Sequence, residues 1–222
     1  MTCRSAVISW VGTTALLLAG CAAAPPAPDL SGLLPTPLLL LGEQHDAPEH
    51  QRLQRQTLRQ LAERGALAAV VLEMVESGRQ TTGLPPDASE AQVRTTLDWT
   101  DERNSGAWPW AVYGPLVMDA VRAGVPVFGG NLPRAQMRTV MGESGLDTAL
   151  PAEALGLQRE NIRAGHCGLL PESQIVPMAR VQLARDRAMA QTAQQALRTG
   201  QTVLLVAGHQ HVRRDIGVPR HL

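Results

Sequence analysis

The sequence predicts an α/β protein with a mainly parallel sheet flanked by helices, and two apolar runs are the clearest evidence for it. The runs LLLL at 38–41 and VLLVA at 203–207 are each followed by Gly-x-x-His, and the two imidazoles belong to His45 and His211. Runs of this length and composition are typical of strands that are buried on both faces, as in a parallel sheet. Further short apolar runs alternate with helical patterns between them, which favours a layered parallel arrangement.

The remaining elements are predicted in order along the chain. A helix begins at Pro48 and ends at Gly65, because its leucines recur on one face. A short helix follows the capping-box spacing of residues 87–90, and another occupies 115–123. We expect strands at 37–41, 69–72, 125–128 and 202–207, and a helix starting at Pro133. The segment from about 142 to 200 is predicted to be a helical insertion that forms a smaller helical subdomain, whose longest helix spans 178–197.

Length and charge limit the class of protein. The chain has 222 residues, enough for one domain with a sizeable core. It carries 20 acidic and 20 basic residues, so no charge excess favours nucleic acid as a partner. All the basic residues are arginine, so any side-chain cation other than histidine is a guanidinium. The sequence contains no Gly-rich phosphate loop, no Gly-x-Ser-x-Gly and no Cys-x-x-Cys, so nucleotide binding and serine or thiol catalysis lack support.

The N-terminus resembles a bacterial lipoprotein signal. Residues 1–21 combine Arg4, an apolar stretch and the lipobox LAGC, which ends at Cys21. We expect Cys21 to become the lipid-modified N-terminus, and the Ala at 22 in place of Asp favours sorting to the outer membrane. Residues 22–36 are predicted to be an Ala/Pro-rich tether, and residues 37–220 the folded domain. Cys167 then has no cysteine partner, so no disulfide is expected.

Several polar side chains follow the predicted strands. The principal ones are Glu43, His45, Glu73 and His211. Ligands of open α/β sheets bind beyond the carboxyl ends of the strands, so we expect these four side chains to share one crevice. There they could act as acid and base or hold a divalent metal. The alternative is that these side chains only form hydrogen bonds with one another and with the backbone at the strand ends.

Aromatic residues are concentrated in one segment. Trp99, Trp108, Trp110 and Tyr113 lie within fifteen positions of one another, although the chain has only six aromatic residues. Aromatic side chains on a loop offer a flat apolar surface for a planar ligand or a partner protein; alternatively, they form a satellite core. A tyrosine phenolate can bind ferric haem iron, but Tyr113 could equally be a buried hydrogen-bonding residue.

A third candidate is His166-Cys167, which lies between two glycines in the helical insertion. Either side chain could bind haem or a soft metal. A role in packing or as a hinge is the alternative.

These residues together resemble the ChaN-like haem-binding lipoproteins of Gram-negative bacteria. The resemblance runs from about residue 38 to 219 in consistent order, and its clearest segments are LGEQHD at 41–46, EM at 73–74, NLPR at 131–134, HCGLLP at 166–171 and GHQHVRRDIGVP at 208–219. It implies a parallel α/β sheet with a small helical domain, outer-membrane anchoring, haem binding by a homodimer, a role in iron uptake and a TonB-dependent haem receptor as partner. It also implies a haem site formed by Tyr113, His166, Trp108, Trp110 and Arg134.

The family lies in the wider Tiki, TraB and erythromycin-esterase-like superfamily. Its enzymes use paired Gly-x-x-His motifs and glutamates, which correspond here to Glu43, His45, Glu73 and His211. Three hypotheses follow. The first is a lipid-anchored haem-binding protein of haem and iron acquisition, and the alternative is a metal-dependent or acid–base hydrolase of the esterase or peptidase kind. The third is an envelope scaffold that binds only proteins.

Overall fold

A parallel sheet of four strands forms the centre of the computed structural model, which describes residues 28–100 and 108–222. The strands are β1 (Leu38–Glu43), β2 (Leu67–Glu76), β3 (Val127–Asn131) and β4 (Thr202–Gly208). Their order across the sheet is β1-β4-β2-β3, and every neighbouring pair is parallel. The first and last strands are therefore adjacent, so their carboxyl ends meet at one edge. The predicted α/β class is confirmed.

Two strands run further than the sequence indicated. The expected ends were residues 41 and 72, but Glu43 is the last residue of β1 and Glu73 lies inside β2. Strand β2 is flanked by β4 and β3, and all of its residues except the last are buried. Glu43 is paired with Gly208 of β4, whereas Glu73 lies where the register of β2 with β3 shifts, between Leu72 and Glu76.

Six α-helices flank the sheet in the described part of the chain. They are α1 (Pro48–Glu63), α2 (Glu90–Thr96), α3 (Trp110–Arg122), α4 (Met137–Met141), α5 (Ala152–Gly165) and α6 (Glu172–Ala196). Helix α3 begins five residues before its predicted start at Pro115, so that prediction was wrong. The amides of Val112 and Tyr113 bond to the carbonyl of Pro109, which opens the helix earlier and places Trp110 and Tyr113 on a helix rather than on a loop.

Alternate residues of the strands pack against opposite helical layers, as the two-residue period of a strand requires. On one face, Val70 and Leu204 belong to the cluster that contains Leu58 of α1 and Val117 of α3. The opposite face packs against the C-terminal half of α6; its members are Val71, Val203, Leu205, Met189, Ala190 and Ala193. The sheet is thus covered on both faces.

Helix α6 is longer than predicted and has two roles. It begins at Glu172 rather than near 178, and its N-terminal half packs against α5, with Ile175 and Ile162 in one cluster. Its C-terminal half covers the sheet, so this part of the predicted helical insertion is one of the main layers. No helix in residues 28–100 and 108–222 is long and apolar enough to cross a membrane. The predicted signal peptide, Cys21 and residues 22–27 of the predicted tether lie outside the described residues.

Candidate functional site: a cavity at the strand ends

A continuous cavity of about 620 Å³ lies over the carboxyl ends of β1, β2 and β4. We call it the strand-end cavity. Helices α5 and α6 form its opposite wall through residues such as Ile162 and Asp186. Its lining includes the four residues that the strand-end argument placed in one crevice, Glu43, His45, Glu73 and His211. Trp108 and His166 also line it.

Glu43 is at the centre of a buried hydrogen-bond network. Its Oε1 accepts hydrogen bonds from the Tyr113 hydroxyl at 2.5 Å and from His45 Nδ1 at 2.7 Å, and its Oε2 accepts one from Gln54 Nε2 at 2.6 Å. Burial alone would raise the pKa of this carboxyl, but hydrogen bonds from His45, Tyr113 and Gln54 outweigh it and hold the pKa below its usual value. Glu43 is therefore an anion that orients its neighbours.

His45 has one nitrogen held and one nitrogen open. Because the Glu43 carboxylate can only accept, His45 Nδ1 carries the proton, and in the neutral ring Nε2 carries the lone pair. The side chain is 41% exposed, and its ring meets Trp108 edge-on at a centroid distance of 6.1 Å. The hydrogen bond to Glu43 raises the pKa of His45 above its usual value, against the effect of burial.

Gly208 allows this arrangement at the end of β4. A Cβ on Gly208 would lie 3.1 Å from His45 Nε2 and 3.4 Å from Glu73 Oε2. Both polar side chains therefore lie against a backbone position that lacks a side chain. The glycine of the second Gly-x-x-His motif thus provides room for the histidine of the first motif.

His211 differs from His45 because both of its nitrogens face carboxylates. Nδ1 is 2.6 Å from Asp186 Oδ1, and Nε2 is 3.3 Å from Glu73 Oε1. Burial lowers the pKa of His211, but the two carboxylates outweigh it and raise the pKa to about 10. His211 is thus an imidazolium at neutral pH.

The pKa values of the two carboxyl groups beside His211 are also shifted, in opposite directions. Burial acts against ionisation of Glu73, but His211 and the amide of Gly208, which donates to Oε2 at 2.6 Å, lower its pKa to about 2. Burial dominates at Asp186 and raises its pKa to about 6. The trio is therefore a buried ionic group in which one imidazolium lies between two carboxylates.

His166 lies at the C-terminal end of α5 and is exposed. Its Nδ1 is 2.8 Å from the carbonyl oxygen of Ile162, which can only accept, so Nδ1 carries the proton. In the neutral ring the Nε2 lone pair is then available to a ligand. The adjacent Cys167 is exposed and has a positive φ of 52°.

Of the other predicted haem residues, only Trp108 lines the strand-end cavity. Tyr113 is 2% exposed, and burial together with the neighbouring Glu43 raises its pKa above its usual value. Trp99 and Trp110 are buried against each other, with ring centroids 5.1 Å apart, as in the satellite-core interpretation. Trp110 does not line the strand-end cavity, whereas the half-buried Trp108 does. Arg134 lines a second cavity on the other side of Trp108.

Comparison with known proteins identifies the family. The family model described as "Haem-binding uptake, Tiki superfamily, ChaN" matches residues 32–222. The chain belongs to the ChaN family. No curated protein matches it in sequence.

A solved structure supports the ChaN fold. The structure titled "Cofacial heme binding to ChaN of Campylobacter jejuni" superimposes with a TM-score of 0.67 at 23% identity, over 86% of this chain and 78% of that chain. At this identity the likeness shows the fold. The parallel sheet and its helical layers are therefore those of ChaN.

The predicted metal set is not supported in this ChaN-family chain. In the two described ranges, no group of three or more His, Cys, Asp or Glu side chains is arranged to hold a metal ion. The carboxylate oxygens of Glu43 are used by protein donors, and those of Glu73 face His211 and a backbone amide. Glu43, His45, Glu73 and His211 therefore line one cavity without forming a metal site.

Sequence reasoning missed three side chains of the network. Asp186 lies on α6, 25 positions before its partner His211, and no strand-end pattern points to it. Gln51 and Gln54 lie one turn apart on α1, and both direct Nε2 towards Glu43 Oε2, at 3.4 and 2.6 Å. Their i,i+3 spacing beyond the first Gly-x-x-His motif was the available signal.

Proposed function

We propose that this ChaN-family protein binds haem in the strand-end cavity and that His166 binds the iron. The single observation that carries the assignment is the state of its imidazole: Nδ1 is committed to the Ile162 carbonyl, and the ring is exposed on the cavity lining. In metal-binding histidines, a hydrogen bond from Nδ1 to a carbonyl oxygen fixes the tautomer and leaves Nε2 to bind the metal. Haem supplies an iron that an imidazole nitrogen can bind.

The cavity suits an amphipathic ligand of haem's kind. Trp108 and Ile162 supply apolar surface, and the polar side chains Asn161 and Gln182 lie on the same lining. Its volume of about 620 Å³ is within the range of cofactor sites, roughly 300–1,000 Å³. His45 lies on the same lining with its Nε2 open, and it is the second imidazole available to the ligand.

Tyr113 is not included in this site, although it is the tyrosine that the resemblance singled out. Its hydroxyl donates to Glu43 at 2.5 Å, and its side chain is buried. Binding to iron would require a phenolate next to the Glu43 carboxylate, and two adjacent anions in a buried place are unfavourable. The surroundings of Tyr113 therefore favour a structural hydrogen bond.

Hemin titration followed by the Soret band tests the proposal. We expect a saturable Soret band with the unaltered protein and a shifted or lost band with His166→Ala. Tyr113→Phe should leave the band position unchanged, and His50→Ala serves as a matched imidazole control because His50 does not line the cavity. A Tyr113→Phe variant that loses the band while His166→Ala keeps it would refute the assignment.

We further propose that the protein is an outer-membrane lipoprotein anchored through Cys21 and acts in haem and iron acquisition with a TonB-dependent haem receptor. The lipobox motivates the anchor, and the ChaN family motivates the uptake role. The Campylobacter jejuni structure reports cofacial haem binding in its title, which suits a homodimer that brings two haems together. We expect Cys21→Ala to release the protein from the membrane fraction, and hemin to shift the monomer to a dimer in analytical ultracentrifugation.

A second candidate function is acid–base hydrolysis without a metal. It is favoured by the Glu43–His45 pair, in which a carboxylate holds Nδ1 while Nε2 lies on the cavity side next to Gly208. In this role His45 Nε2 would take a proton from a water that attacks an ester or amide. An ester and peptide panel should then show turnover that His45→Ala abolishes. Absence of turnover in the unaltered protein would reject this second function.

A further inference from the structure

A second cavity lies beside the carboxyl ends of β2 and β3, and we call it the Asn131 cavity. Its volume is about 350 Å³. Trp108 and Arg185 separate it from the strand-end cavity, since both residues line both spaces. Its apolar lining includes Met74, Val75, Leu97, Trp99, Leu132 and Met137. No histidine that lines the strand-end cavity also lines the Asn131 cavity, so the Asn131 cavity is chemically distinct from the proposed haem site.

Asn131 supplies an acceptor that has no donor. The residue is 5% exposed, and its Oδ1 has no hydrogen-bond partner in the described part of the chain. A buried polar atom without a partner carries a free-energy cost, and such atoms are rare in native proteins. The cost is removed when a ligand in the cavity offers an O–H or N–H.

Arg185 supplies the complementary donor. Its buried Nε forms no hydrogen bond with any described residue, and burial lowers the pKa of its guanidinium. Its charge is offset by Glu73 and Asp186, which lie on the side of the strand-end cavity. Arg185 also lines the Asn131 cavity, so an acceptor bound there lies beside a guanidinium with an unpaired N–H.

Three arginines and two carboxylates, Glu76 and Asp98, line the cavity, so cations exceed anions by one. Arg79 is paired with Asp98 at 2.9 Å. Arg134 forms no ion pair among residues 28–100 and 108–222, while its backbone amide donates to Glu76 Oε1 at 3.2 Å. Arginine binds carboxylates through a planar fork, so Arg134 and Arg185 match a carboxylate group.

We propose that the Asn131 cavity binds a small carboxylate that carries an adjacent hydroxyl or amino group and an apolar side chain, that is, a 2-hydroxy or 2-amino acid. The guanidinium groups of Arg134 and Arg185 bind the carboxylate. The hydroxyl or amino group donates to Asn131 Oδ1, and the apolar wall contacts the side chain. A water molecule occupies about 30 Å³ of liquid, so a volume of 350 Å³ has room for such an acid.

Calorimetric titration of the full chain with three related probes tests the proposal. The probes are 3-phenyllactate, phenylalanine and 3-phenylpropionate, of which the last lacks the donor beside the carboxylate. We expect 3-phenyllactate or phenylalanine to bind at least about 10-fold more tightly than 3-phenylpropionate, because only they satisfy Asn131 Oδ1. Whichever of the two binds more tightly identifies a hydroxy acid or an amino acid.

The matched variant is Asn131→Leu, which has the same branching without the polar atoms. We expect it to abolish the preference for the donor-bearing probe and to keep or raise the melting temperature, because an unpaired buried acceptor is removed. Hemin titration of the same variant should match the unaltered protein.

Three results would overturn the proposal. The first is that none of the probes binds at about millimolar concentration, which would leave only water in the cavity. The second is equal affinity for all three probes. The third is an Asn131→Leu variant that retains the preference, since the donor would then be recognised elsewhere.

Discussion

His45 and His211 occupy equivalent places in two copies of one motif, but the protein uses them differently. Both follow a buried strand by Gly-x-x-His, and both line the strand-end cavity. His45 has one carboxylate partner and a side chain that is 41% exposed, whereas His211 has two carboxylate partners and a side chain that is 10% exposed. The first imidazole is available for chemistry, and the second is committed to structure.

The difference comes from the helical layers and not from the motif. Helix α6 places Asp186 next to His211, while the neighbours of His45 are Tyr113 of α3 and the half-buried Trp108. The repeated motif therefore predicts where the two imidazoles lie. The helix that packs against each imidazole determines whether the ring is buried and paired with carboxylates. A variant at each histidine separates the two roles.

The largest expected effect is on stability. His211→Ala should reduce the free energy of unfolding by about 3–5 kcal/mol, because it leaves Glu73 and Asp186 buried without their cation. His45→Ala should cost less, about 1–2 kcal/mol, since the buried Glu43 loses one donor but keeps those of Tyr113 and Gln54. Urea unfolding of both variants measures the contrast. An equal loss of unfolding free energy in the two variants would contradict the distinction between the buried, doubly paired His211 and the partly exposed His45.

The pH dependence of stability tests the same comparison. The pKa of His211 is raised from 6.5 to about 10 in the folded state, so its contribution is fully present below pH 6.5 and is lost as pH rises to about 10. The loss is on the order of 5 kcal/mol for this shift. We expect Asp186→Asn to start the loss at lower pH, because one of the two carboxylates that raise the pKa of His211 is removed. If the free energy of unfolding falls over the same alkaline pH range in Asp186→Asn as in the unaltered protein, Asp186 does not raise the pKa of His211.

A smaller effect is expected at the open imidazole. Glu43→Gln should lower the pKa of His45, because the hydrogen bond from the ring to the carboxylate is the main cause of its raised value. NMR titration of the His45 ring protons measures the change, and His50 provides an internal reference outside the cavity. A His45 pKa that stays raised in Glu43→Gln would show that Glu43 does not hold Nδ1.

The sequence was sufficient for the sheet and for part of the site. Buried strands differ from helices in length and apolar composition, so the parallel sheet and the meeting of His45 and His211 could be predicted. Asp186 could not, because its role depends on how α6 crosses the sheet, and its position on a long helix carries no local signal. Tyr113 shows the same limit: its burial under Glu43 depends on the packing of α3, which the aromatic cluster alone does not specify.

The central claim is that an imidazole lining the strand-end cavity, and not the buried tyrosine, binds the iron of haem. The most direct measurement is a crystal structure of the hemin-loaded protein with the iron located by its anomalous signal. The account predicts iron in the strand-end cavity, bonded to Nε2 of His166. Iron bonded to the Tyr113 oxygen, or located outside this cavity, would contradict it.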